Sequence, residues 1–258
     1  MSTPDKYTTE TITDVRPWTD SLFSFRTTRD RGYRFVPGQF ARLGVPGAAE
    51  GSIVWRAYSI ASAAHDEHLE FFSVVVPNGQ FTSRLSKLRQ GDAIHVERKS
   101  YGFLTTDRFE AGRDLWMLAT GTGLAPFLSI LHDFNTWERY ENLVLVQSVR
   151  TQSELAYEDL IRGFEKSEYY AEFAHKLRYT RIVTREPVPG ALRDRVTKLL
   201  ANGVLEGNID LKLDHDRSRI MLCGNPEMVE DSRRILVDRG FRLSRRGEPG
   251  HLATENYW

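Results

Sequence analysis

Cysteine is almost absent from this sequence, where Cys223 stands alone. One thiol excludes an internal disulfide framework and any multi-cysteine zinc or iron–sulfur site, so no metal is expected and organic cofactors remain open. An excess of one charge is missing too. Lys plus Arg and Asp plus Glu each number 35, so no global field selects nucleic acid, a membrane or acidic ligands, and charge-driven recognition must be local. Apolar runs such as 69–77 and 143–149 fall well short of the roughly 18 residues a membrane span needs. Met1 to Asp20 is polar and lacks the apolar stretch of a secretory signal. A soluble, cytoplasmic protein that binds neither nucleic acid nor membrane is therefore expected; a monomer is expected as well, with no sequence feature that fixes the oligomeric state. No internal repeat or low-complexity segment occurs.

What is present divides in two. A chain of 258 residues suits two domains of roughly 100 to 150 residues each. Its first hundred residues are short apolar or alternating runs (22–27, 39–45, 57–60, 69–76 and 93–97) broken by Gly, Pro, Asn and Asp, with one helix at 82–88. Such spacing predicts an antiparallel β-barrel or sandwich. Beyond Gly112, buried strands at 114–119, 143–149, 177–183 and 219–223 alternate with helices at 125–132, 157–164, 196–201 and 226–239. That alternation predicts a parallel sheet of βαβ units. The expected division is an antiparallel β-barrel domain over 1–108 and an α/β parallel-sheet domain over 109–258.

The barrel half carries Trp55-Arg56-Ala57-Tyr58-Ser59-Ile60-Ala61-Ser62 on a strand. Strand alternation lets Arg56 and Tyr58 share one face while Ala57 and Ser59 take the other. An arginine fork suits pyrophosphate, a tyrosine ring suits a flavin, and a serine hydroxyl suits a ring nitrogen, although an ordinary amphipathic strand has the same pattern. Farther on, Gly79 opens a turn into a helix whose first turn holds Thr82 and Ser83. Such hydroxyls and helix-start N–H groups suit phosphate, or serve simply as caps.

In the α/β half, Thr120-Gly121-Thr122-Gly123-Leu124-Ala125-Pro126 follows a strand and opens a helix. Glycines at that position let backbone approach a second pyrophosphate. Arg150, Arg185 and Arg195 stand where loops leave the strands, and arginines there suit the 2′-phosphate of NADP(H). Cys223-Gly224-Asn225-Pro226 closes the fourth strand, so its thiol is a candidate neighbour of a nicotinamide or a small buried hydrophobe.

Taken together, Arg56-Ala57-Tyr58-Ser59-Ile60-Ala61-Ser62, Gly121-Thr122-Gly123-Leu124-Ala125-Pro126-Phe127, Met221-Leu222-Cys223-Gly224-Asn225-Pro226 and the terminal Thr254-Glu255-Asn256-Tyr257-Trp258 resemble the bacterial ferredoxin/flavodoxin–NADP(+) reductases, in order and over nearly the whole chain. The resemblance implies FAD in the barrel and NADP(H) in the α/β domain, with hydride exchange coupled to one-electron transfer to or from ferredoxin or flavodoxin. By that likeness Arg56, Ala57, Tyr58, Ser59, Phe72, Ser73, Val74, Gly79, Thr82, Ser83 and Thr122 contact FAD. Tyr257 covers the isoalloxazine and Trp258 the adenine, so trimming both is expected to change NADP(H) affinity and turnover. NADP(H) falls to Gly121, Gly123, Leu124, Pro126, Arg150, Arg185, Arg195 and Gly224, with Arg193 an alternative to Arg195 at the 2′-phosphate. The reacting centre comprises Ser59, Cys223, Glu255 and Tyr257. Basic residues Arg84, Lys87, Arg89, Arg245 and Arg246 are candidates to receive an acidic carrier, or a merely solvated face. Two rival functions are the electron-transfer module of an oxygenase, usually joined to an iron–sulfur domain, and a nucleotide-binding regulator without turnover.

Overall fold

The computed structural model describes residues 6–256. Strands β1 (Tyr7–Pro17), β2 (Leu22–Thr28), β3 (Phe40–Pro46), β4 (Ile53–Ser59), β5 (His68–Val74) and β6 (Ala93–Tyr101) form an antiparallel sheet of six, ordered β4-β3-β6-β1-β2-β5. Its two edge strands, β4 and β5, are drawn together by a bridge between Ile60 and Phe71, which curls the sheet into the expected barrel. Phe25, Leu43, Ile60, Phe71 and Ile94 fill the interior.

β1 departs from expectation. Only Glu10 and Ile12 along it are buried, so no apolar alternation marks it in the sequence. Pairing with β2 on one side and β6 on the other holds it instead, helped by threonines that favour extended backbone. The helix expected at 82–88 shrinks to the single turn of α1 (Thr82–Leu85).

The second half contains β7 (Asp114–Thr120), α2 (Ala125–Leu131), α3 (Phe134–Arg139), β8 (Asn142–Val149), α4 (Glu158–Phe164), β9 (Leu177–Val183), α5 (Val196–Ala201), α6 (Val204–Ile209), β10 (Ser218–Gly224), α7 (Pro226–Asp238) and β11 (Leu252–Asn256). Its five strands are parallel and ordered β11-β10-β7-β8-β9. Helices α3 and α6 have 6 residues each, too few to register as a helical period. The terminal segment β11, which no apolar run marks in the sequence, is the fifth strand, lying alongside β10 with Glu255 opposite Cys223.

Strand order reverses beside β7. The chain runs outward through β8 and β9, then returns to the other flank for β10 and β11, which opens a crevice at the carboxyl ends of β7 and β10. The link between the halves is fixed by Arg219, which is 2% exposed and donates to the carbonyls of Glu110, Ala111 and His215. No helix among the described residues is long and apolar enough to cross a membrane.

Candidate active site

Beyond the Ile60–Phe71 bridge the barrel edges diverge, and a cavity of about 610 Å3 opens between them. Arg56, Ala57, Tyr58 and Ser59 from β4 line it, with Phe72, Ser73 and Val74 from β5, and Gly79, Gln80, Phe81 and Thr82 from the following turn. Thr122 and Asn256 reach it from the α/β half. All four residues of the Arg-Ala-Tyr-Ser run border this space, so the cavity follows the edge of β4 instead of one face. Tyr58 hydroxyl and Ser73 Oγ hydrogen bond at 3.0 Å across the gap, and burial pushes the Tyr58 phenol up to about 12. Arg56 is exposed at the cavity rim.

Gly79 and Thr82 serve a turn. Thr82 Oγ1 accepts the Val76 N–H at 3.0 Å, and a Cβ on Gly79 would stand 2.7 Å from that oxygen. Ser83 is absent from the lining, and its N–H is already bonded to the Gly79 carbonyl at 3.2 Å. Of the two hydroxyl residues expected at this helix start, Thr82 borders the cavity and Ser83 does not.

The two halves meet chemically at Ser59. Its Oγ donates to Glu255 Oε1 at 3.0 Å, joining the end of β4 to the terminal β11. The other carboxyl oxygen sits against Gly102, whose φ of 101° and closeness to it, 3.0 Å from a built Cβ, leave no room for a side chain. Burial raises the Glu255 carboxyl to about 7, opposed by the Ser59 hydrogen bond. This site therefore holds a proton that exchanges near neutrality.

At the crevice, Gly121–Leu124 forms a tight 3-10 turn at the end of β7. Gly121 is exposed, with a φ of 53° and nothing within 4 Å of a built Cβ, so backbone there is open to a ligand. Gly123, Leu124 and Pro126 are buried. A Cβ on Gly123 would fall 2.2 Å from the Cys223 carbonyl oxygen, so this glycine lets the turn pack closely on β10. Gly224, at φ 135°, is pressed in the same way against Thr120. Cys223 is 0% exposed and packs in the core with Leu22, Ala61 and Phe72. It backs the site and is absent from the cavity lining.

Arg150 and Arg185 are brought side by side where β8 and β9 end, by the Arg185 N–H donating to the Arg150 carbonyl at 2.9 Å. A parallel bridge between Ile182 and Leu192 turns the chain back beside β9 and leads it to Arg195 at the start of α5. All three are exposed, as is Arg193. Lys87, Arg89, Arg245 and Arg246 are exposed as well, whereas Arg84 is half-buried and bonded to the Gln80 carbonyl at 3.0 Å. Tyr257 and Trp258 lie outside the described residues. Val76, Gln80, Phe81 and Asn256 line the cavity without having been anticipated; proximity to Gly79 and Glu255 was the only sequence signal for them.

A barrel packed on a parallel sheet, with a shared seam at Ser59 and Glu255, defines a dinucleotide-dependent oxidoreductase. Residues 13–102 match the model of the oxidoreductase FAD-binding domain and 117–234 that of the oxidoreductase NAD-binding domain. The chain is 45% identical to the ferredoxin–NADP reductase of Pseudomonas aeruginosa over 251 residues, 96% of each. It is 38% identical to the flavodoxin/ferredoxin–NADP reductase of Escherichia coli over 253 residues, 98% of this chain and 99% of the other. Among solved structures, a ferredoxin NADP+ reductase of Neisseria gonorrhoeae with bound FAD and NADP superposes with a TM-score of 0.91 at 36% identity, over 98% of this chain and all of that one. This chain belongs to the ferredoxin/flavodoxin–NADP reductase family.

Proposed function

We propose that the chain exchanges a hydride with NADP(H) through FAD and passes electrons singly to or from ferredoxin or flavodoxin. One observation carries this reading: a cavity of about 610 Å3, within the usual range of ligand sites, meets the crevice of a parallel sheet at the Ser59–Glu255 hydrogen bond. When bound, FAD supplies the interchange between paired and single electrons, and the protein contributes binding and electrostatics.

Residues 1–108 hold FAD on this reading, and 109–258 hold NADP(H). Arg56 offers a fork to pyrophosphate at the rim. Tyr58, Phe72 and Val74 give the cavity aromatic and aliphatic walls for a flat ring system, and Thr122 reaches it from the far side. Ser59 Oγ and the Glu255 carboxyl hold a proton beside the reacting atoms, while Cys223 and Gly224 close the crevice from the core side. Tyr257 and Trp258 are proposed to cover the flavin. We further propose a monomer working in the cytoplasm, where the lone buried thiol needs no oxidising surroundings.

Arg150, Arg185 and Arg195 are assigned to the 2′-phosphate. Arg185→Ala is expected to weaken NADPH binding by about tenfold to a hundredfold, the worth of one charged hydrogen-bonding group. NADH oxidation should stay near its original rate, and an equal loss with both nucleotides would contradict the assignment. The function itself is tested by colour. Purified protein should be yellow, bleach with NADPH and recover on adding ferredoxin or flavodoxin; a chain that stays colourless after flavin reconstitution would overturn the reading.

A further inference from the structure

Tyr157 is held in a costly state that the reaction above does not use. Its φ of 62° is left-handed, a region disfavoured for a bulky L-residue and retained only where the surroundings enforce it. Its buried hydroxyl donates to Glu70 Oε1 at 2.7 Å. The ring packs on Trp18 at 4.9 Å between centroids and edge-on against Phe72 at 5.2 Å. Glu70, Trp18 and Phe72 belong to the barrel, whereas Tyr157 precedes α4 in the α/β half, so the contact crosses the domain boundary.

Both ends are anchored. In the barrel, Glu70 Oε2 takes Arg26 Nε at 2.7 Å and lies 3.9 Å from His68 Nε2. Desolvation would raise this carboxyl, but His68, Tyr157 and Arg26 together hold it down at about 2. In the α/β half, Gln147 of β8 is 1% exposed. It donates Nε2 to the Ala156 carbonyl at 3.1 Å and accepts the Tyr179 hydroxyl of β9. The Ala156–Tyr157 segment is thus tied through the Ala156 carbonyl to β8 and β9 and through the Tyr157 hydroxyl to β5 and β2.

The joined segments are those the proposed function uses. Phe72, Ser73 and Val74 follow Glu70 along β5 and line the cavity. The loop that ends at Tyr157 begins at Arg150, whose N–H is tied to Glu154 Oε2 at 2.8 Å. Burial alone would keep the halves in contact yet leave them free to slide, as interfaces between domains commonly do. A short hydrogen bond from a strained backbone sets a distance.

We propose that the Tyr157–Glu70 hydrogen bond is the positioning link that sets the register between the two nucleotide-binding halves, so that Tyr157 governs hydride transfer without touching the reacting atoms. The inference rests on the functional reading above. Transfer is steep in distance, since displacement by about 1 Å can cost on the order of a hundredfold in rate.

Tyr157→Phe keeps the ring packing and deletes only the hydroxyl. In the FAD-loaded protein, bleaching at saturating NADPH should slow about tenfold or more, while the half-saturating NADPH concentration stays within about twofold. Amide exchange should quicken in segments 147–157 and 68–74, with or without FAD. Glu70→Gln retains an acceptor for Tyr157 and should recover most of the rate lost in Glu70→Ala. A contact that is only structural would lower the denaturation midpoint and leave the saturated bleaching rate unchanged, and that result in Tyr157→Phe would overturn the link. Failure of the wild-type protein to bleach would sink the functional reading alone; unchanged exchange in Tyr157→Phe would then sink the link.

Discussion

Gly123→Ala is expected to destabilise the protein by about 3 kcal/mol or more, the upper part of the range for overpacking, and to slow bleaching by NADPH about a hundredfold. The added methyl would lie 2.2 Å from the Cys223 carbonyl oxygen, 2.5 Å from its carbon and 2.7 Å from the Gly224 nitrogen. All three are backbone atoms of β10, so no side chain can rotate aside. Relief requires moving the Gly121–Leu124 turn or the end of β10, and both border the crevice. Gly121→Ala makes the internal control. Nothing lies within 4 Å of its Cβ, and only the φ of 53° is unfavourable, a cost of about 1 to 2 kcal/mol. Urea denaturation of the two variants should rank them in that order. Equal stabilities would show that β10 does not constrain the turn as described.

Glu255→Gln should remove a pH dependence from both stability and turnover. Burial raises the folded carboxyl to about 7 from an ordinary 4.5. Below pH 4.5 both folded and unfolded chains keep the proton, and the group costs nothing. Between these values the unfolded chain releases it first, so stability falls as pH rises and levels off above 7. The loss amounts to at most about 3 kcal/mol. Glutamine stays neutral and can still accept from Ser59, so the variant should match wild type near pH 4 and exceed it at pH 8. Catalysis should move the other way. Without the exchangeable proton, turnover should drop about a hundredfold, within the range for a lost acid–base group, and the inflection near neutrality should vanish. Parallel stability profiles for variant and wild type from pH 4 to 8 would refute the buried-carboxyl assignment.

How far the sequence could be read depended on the reach of each signal. The α/β half was legible because its strands are buried on both faces: β7, β8 and β10 are continuous apolar runs set between helices and glycine turns. β1 was not legible, because its polar side chains follow no core pattern and its place comes from pairing on both edges. The Arg-Ala-Tyr-Ser run and the glycine turn marked the cavity and the crevice through local chemistry. Their glycines were only half understood, since Gly123 answers to the neighbouring strand and Gly121 to open space.

By itself the sequence determined the class: two halves of different periodicity, two nucleotide motifs in a set order, and the residue types able to serve them. These are properties of neighbours along the chain, which fix backbone preference and side-chain chemistry without reference to distant partners. Tertiary structure decided the rest. Glu255 meets Ser59 from 196 positions away, and Tyr157 meets Glu70 from 87. No local rule encodes such encounters, because they follow from the parallel addition of β11 beside β10 and from the way one half packs on the other. The exchangeable proton and the interdomain register both arise from that packing.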